Sequence, residues 1–155
     1  MNKLLTIILF GVILFVTSCS KKDSTPNYTN FKITSIDIWN APDPIDPLGW
    51  DPGFGNPDFF IQIKDINDNI IYDHPNYYSN VTSSDFPLTF ECVNGISITN
   101  TAATYQLQLK DWDAIGQNDA AGSISFILNN YKSGYQKDIY ISTGGLEATI
   151  HGEWY

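Results

Sequence analysis

Residues 109 to 122 read LKDWDAIGQNDAAG, which places Asp111, Asp113 and Asp119 around a single turn. Carboxylates this close repel one another unless water, hydrogen-bond donors or a cation offset the charge. Two chemistries meet that need. Aspartates cap backbone N–H groups in polar turns, or they share a hard cation such as calcium, which takes about six to eight oxygens from carboxylates, carbonyls and water. A second acidic stretch, NAPDPIDPLGWDPGFGNPD, spans residues 40 to 58 and holds Asp43, Asp46, Asp51 and Asp58 with five prolines and three glycines. Connections of that length inside a compact domain are usually functional or disordered. The prolines restrict the backbone and so limit the entropy lost on ordering. An acidic, stiffened loop suits a hard-cation site.

Other constellations fall away on inspection. DINDN, from Asp65 to Asn69, imitates the opening of an EF-hand. Its sixth position is Ile70 where the sharp turn needs glycine, and its twelfth is Asn76 where a bidentate glutamate belongs. A hairpin turn is expected there. No phosphate-cradling glycine motif, zinc-type Cys/His cluster or internal repeat is present. Cys92 follows LTFE in a strand-like run and reads as a buried small hydrophobe. Neither His74 nor His151 sits in a motif that would activate it. Formal net charge is −9, and the chain contains no arginine. That excludes nucleic-acid binding, which needs a basic surface, and it excludes a polybasic membrane patch.

The elements that must position the aspartates read as strands. FKITSIDIW, FFIQIKDI, IIYDH, PLTFEC, TYQLQLKDW, SISFIL, KDIYIS and LEATIHGEW are short and rich in β-branched or aromatic residues. All are bounded by Gly, Asn, Asp or Pro. YQLQLK alternates most cleanly, with Gln106, Gln108 and Lys110 on one face and Tyr105, Leu107 and Leu109 on the other. No segment carries a helical period of useful length. The fold class expected is all-β, an eight-stranded antiparallel β-sandwich over residues 31–155, with a small barrel as the alternative. The terminal GEWY reads as the end of the last strand.

The N-terminus reads differently. MNKLLTIILFGVILFVTSC has a basic start (Lys3) and an apolar run from Leu4 to Val16, too short to span a bilayer and the right length for a secretory leader. VTSC, residues 16–19, resembles the lipobox of bacterial lipoproteins. That resemblance implies a signal peptide over 1–18 and lipidation (palmitate among the acyl chains) of Cys19, followed by a flexible tether over 19–30. Asp23-Ser24-Thr25 also matches a short O-glycosylation motif seen in Bacteroidota. Several acyl chains would hold the chain at a membrane, since one gives marginal binding. Residue 20 is Ser rather than Asp, which points to the outer membrane of the cell envelope. With Cys19 lipidated, Cys92 alone remains and no intramolecular disulfide forms.

The two acidic loops carry a further resemblance. NPDFFIQIKD is similar to the SDPYVKV stretch that starts the second conserved strand of C2 domains. LQLKDWDAIGQNDAAGSISFIL is similar to their third calcium loop, with D-x-D-x5-D spacing and then a glycine, over a match from about residue 31 to 129. Membership of that family implies a sandwich whose two loops meet at one end and share calcium. Asp58 matches the loop-one aspartate beside the strand, Asp111, Asp113 and Asp119 match the three of loop three, and Gly122 matches the glycine after them. Asp51 stands seven residues before Asp58 where the family has six, and Asp46 or a carbonyl is the alternative ligand. Asp58 is followed by Phe59 rather than by proline, and Gly116 stands where some relatives carry a side-chain oxygen, so one calcium ion is expected. A chain that opens with the strand leading into loop one and adds LEATIHGEWY last resembles the permuted (type II) C2 topology.

C2 domains dock onto phospholipid through calcium and apolar loop tips. Ile115 falls at the tip of loop three, and Trp50 and Phe54 serve loop one or else pack it against the sandwich. The function implied is a membrane-anchored, calcium-binding module engaging a phospholipid, surface protein or glycan. A carbohydrate-binding or adhesin-like sandwich is the alternative, independent of calcium and using Trp39, Tyr77, Tyr78, Trp112, Tyr131 and Tyr135 as a stacking platform. Nothing resembles a catalytic family, and no enzymatic activity is expected.

Overall fold

A computed structural model describes residues 27–42, 55–113 and 118–155. The leader, Cys19, most of the tether, and Asp43, Asp46, Trp50, Asp51, Phe54, Ile115 and Gly116 lie outside the described residues. Within them the chain forms eight strands: β1 (Phe31–Asn40), β2 (Phe59–Asp65), β3 (Ile70–Asp73), β4 (Leu88–Ile98), β5 (Tyr105–Asp111), β6 (Ala120–Phe126), β7 (Asp138–Thr143) and β8 (Leu146–Trp154). A single 3-10 turn, Leu128–Tyr131, takes over where SISFIL was expected to continue as strand. The strands make two antiparallel four-stranded sheets, ordered β4-β1-β8-β7 and β3-β2-β5-β6. This is a sandwich rather than a barrel. The last strand lies between β1 and β7, as the permuted order requires.

Period-two patterning builds the core. Phe31, Ile33, Ile36 and Ile38 of β1 face Ile61, Ile63, Leu107 and Leu109 of β2 and β5, with Phe90, Ile139 and Ile150 beside them, all buried. Cys92 is buried among them as a free thiol, and burial pushes its pKa up to about 11, which leaves it inert at neutral pH. Tyr131 and Tyr135, two of the candidate platform residues, are partly buried and pack against this core. DINDN is the β2–β3 hairpin turn: the Asp65 carboxylate accepts from Asn67 N, Asn69 N and Asn69 Nδ2, and the Asn69 side chain first of all holds its pKa below the usual range.

β4 runs six residues beyond PLTFEC. Ile33 pairs with Ile96 and Ser35 with Glu91, so β4 spends residues 92–95 opposite Thr34 alone. Asn94 and Gly95 take φ of 68° and 69°. An Asn-Gly pair that reads as a turn is here a bulge that lets the strand resume.

On the outer face of the first sheet, His151 of β8 links three strands. Its Nε2 lies 3.0 Å from Asp37 Oδ2 on β1, and its Nδ1 lies 2.8 Å from Asp138 Oδ1 on β7. Burial opposes the imidazolium, but the hydrogen bonds and charges of Asp138 and Asp37 outweigh it and raise the His151 pKa above 6.5. A raised folded-state pKa gives stability that is fully present below about pH 6.5 and lost as pH rises through the higher folded value. The melting-temperature difference between wild type and His151→Gln is therefore expected to be largest near about pH 5.5 and to shrink toward about pH 8.5. Its size should be about 1 kcal/mol or less, because Asp138 is largely exposed. A difference that grows with pH would contradict the bridge.

Candidate functional site

The β5 alternation places Tyr105, Leu107 and Leu109 inward, and Asp111 takes the next inward position. A carboxylate therefore caps the end of the apolar core, fully buried. Such burial is costly without donors. The residue just before β2 supplies one: Phe59 pairs with Asp111 in register, and the N–H of Asp58 donates to Asp111 Oδ1 at 2.6 Å. Asp111 N donates to Asp119 O at 2.9 Å, and Trp112 N to Asp58 O at 2.8 Å. Asp113 is half-buried, and its N–H donates to Asn118 Oδ1 at 3.0 Å. Asp119 is exposed. Asp58, Asp111, Asp113 and Asp119 thus share one end of the sandwich. Gly122 sits in β6 beside Leu146 and Pro42.

A third connection joins them, which sequence reading missed. Residues 74–87 pass the same end: Tyr78 pairs with Phe59, and Asn80 N donates to Asp58 Oδ1 at 2.7 Å. A cavity of about 310 Å³ opens beside Asn80, lined in part by Tyr78, Asp85 and Leu88. The Asp85 carboxylate accepts from Thr82 Oγ1 and Thr82 N at 2.6 and 2.7 Å, which lowers its pKa. Tyr77 stacks on Trp112, with ring centroids 4.7 Å apart and planes 5° off parallel, both rings partly exposed. Pro42, just past β1, lies against Gly122 and against Gly145 of the β7–β8 turn. The only sequence signal for the third loop was its length between two strands.

The segments 41–58, 74–87 and 112–119 contain seven aspartates with no lysine or arginine, and Asp111 adjoins them. The described carboxylates answer part of their repulsion with backbone N–H donors. Among the described residues, no three His, Cys, Asp or Glu side chains converge as a metal-holding group. The donor chemistry of these segments, carboxylate and carbonyl oxygen, fits a hard divalent ion. A complete ligand shell would draw on the first loop as well.

No protein-family model and no curated protein matches this sequence. Solved structures do. The chain superposes on human GIVD cytosolic phospholipase A2 in complex with methyl gamma-linolenyl fluorophosphonate with a TM-score of 0.51 and 12% identity, over 81% of this chain and 17% of that one. The same enzyme with that inhibitor and terbium chloride aligns with a TM-score of 0.48 and 9% identity, over 83% and 18%. The likeness is one of fold, and this chain spans less than a fifth of the enzyme's length. Strand count, sheet order and this superposition together define the class: a C2-like β-sandwich.

Proposed function

We propose that this chain is a binding module, not an enzyme, held at the cell envelope through lipidated Cys19, and that its acidic loop end binds calcium and engages a lipid or protein ligand. The observation that carries the reading is the Asp58–Asp111 contact. It draws the buried Asp111 and the loop-one residue Asp58 to one pole, where Asp113 and Asp119 also lie. Calcium would add positive charge to this acidic end, with Asp58, Asp111, Asp113 and Asp119 as side chains able to hold it. Asp51, Trp50, Phe54 and Ile115 belong to the same reading as the first loop's further carboxylate and the apolar loop tips.

Thermal melting of the full chain in mild detergent, in EDTA and in millimolar calcium with magnesium as control, tests it. At free calcium ten times Kd the expected stabilisation is about 1.4 kcal/mol, a rise of several degrees. Equal melting in EDTA and calcium would leave the acidic end as a capped turn. The anchor has its own test. Cys19→Ser is expected to move the chain from the membrane fraction to the soluble fraction, and a variant that stays bound would refute lipidation there.

A further inference from the structure

The outer face of the first sheet is a broad surface that the loop-end reading leaves unused. Register across β4, β1, β8 and β7 lays Glu91, Ser35, His151 and Asp138 in one row, and Thr89, Asp37, Thr149 and Tyr140 in the next. Trp39 and Glu147 follow at the loop end of the same face.

Two aromatic rings stand out of this surface. Trp39 is 46% exposed and Tyr140 is 54% exposed. Both are pinned to β8 from opposite sides: Trp39 Nε1 donates to Thr149 Oγ1 at 2.8 Å, and Tyr140 OH donates to Glu147 Oε2 at 2.9 Å. Each ring therefore presents carbon to solvent while its polar atom is already satisfied. Aromatic side chains so held lose little entropy on contact with a ligand. Tyr77 and Trp112 differ, since those rings cover each other.

Charge narrows the ligand. The face between Ser35 and Trp39 carries Asp37, Asp138, Glu91 and Glu147, and its single basic group among the described residues, His151, lies between two of those carboxylates. Phosphate headgroups, nucleic acids and acidic polysaccharides are repelled. A wholly apolar partner would strip water from the carboxylates without replacing their hydrogen bonds. A neutral polyhydroxylated molecule satisfies both halves: its C–H faces cover the rings, and its hydroxyls donate to carboxylate and threonine oxygens. β1 and β7 are two strand spacings apart, roughly 10 Å, so covering both rings takes more than one sugar unit. We propose that this sheet face, with Trp39 and Tyr140 as its stacking anchors, binds a neutral oligosaccharide without calcium.

The full chain, held in a detergent without a sugar headgroup, is applied to an array of neutral and anionic glycans. Binding to neutral oligosaccharides is expected. It should fall about tenfold or more in Trp39→Ala and in Tyr140→Ala, recover in part in Trp39→Phe, and persist in EDTA and in Asp111→Asn. Melting temperatures of the variants within a few degrees of wild type show that the fold is kept. An empty array, a signal confined to anionic glycans, or binding that survives both alanine substitutions overturns the proposal. Binding abolished by EDTA also overturns it, and would move the glycan to the acidic loops.

Discussion

Gly152→Ala is expected to destabilise the chain by about 3 kcal/mol or more, at the upper end of what overpacking costs. Gly152 lies within β8 opposite Ile33 of β1. A Cβ there would run into the Lys32 carbonyl oxygen and stand 2.5 and 2.6 Å from Cε1 and Cζ of Phe31. Neither obstacle yields easily. The carbonyl belongs to β1 between two paired strands. The Phe31 ring is fully buried and packed edge-on against Trp154, with centroids 5.0 Å apart. Urea denaturation measures the loss, which corresponds to a fall in Tm of about 10 °C. Gly134→Ala is the control. Its φ is 83°, and nothing among the described residues lies within 4 Å of a Cβ there, so it should cost only the left-handed backbone penalty of about 1–2 kcal/mol. Similar losses at the two positions would refute the steric account of Gly152.

The second large effect separates the structural and metal-binding roles of Asp111. Asparagine keeps an oxygen to accept the Asp58 N–H and removes the charge. Alanine removes both. In EDTA, Asp111→Asn is therefore expected to melt close to wild type or slightly above it, because relief of carboxylate repulsion offsets the change. Asp111→Ala should lose about 1–3 kcal/mol through the orphaned donor. In millimolar calcium, wild type should rise by several degrees and neither variant should follow. Two results would sink the reading: an Asp111→Asn protein that still gains stability with calcium, or an Asp111→Ala protein that matches wild type in EDTA.

Much of the architecture was written in local pattern. Tyr105-Gln106-Leu107-Gln108-Leu109 alternates because one face of β5 meets the other sheet and one meets water, and the remaining strands declared themselves by β-branched and aromatic residues, even β2, buried at its first five positions, and β3, exposed at three of its four. Asn94-Gly95 did not, because that pair has the same local chemistry in a turn as in a bulge. Only its pairing with β1 distinguishes them. At the acidic end, the spacing of Asp111, Asp113 and Asp119 and the position of Asp58 beside a strand were legible. That the Asp111 carboxylate points into the core is a matter of its place in the β5 alternation, and that Asp58 N–H meets it is a matter of register between β2 and β5. Asn80 joins through its backbone, which no side-chain motif announces. Exposed and buried aromatics look alike in composition: Trp39 stands in solvent, whereas Tyr135 meets Trp154 edge-on with centroids 6.1 Å apart.

β1 has one more consequence. It starts at Phe31, where the tether enters and Tyr155 pairs with Asn30, and it ends at the acidic loops. Ten residues of strand separate those poles by roughly 30 Å. The twelve residues from Cys19 to Asn30 can span at most about 40 Å. Turning the loops back onto a bilayer that held a lipidated Cys19 would use most of that length. If Cys19 is lipidated as proposed, the acidic loops would stand at the pole of β1 away from the anchor, free to meet a partner beyond the membrane that carries it.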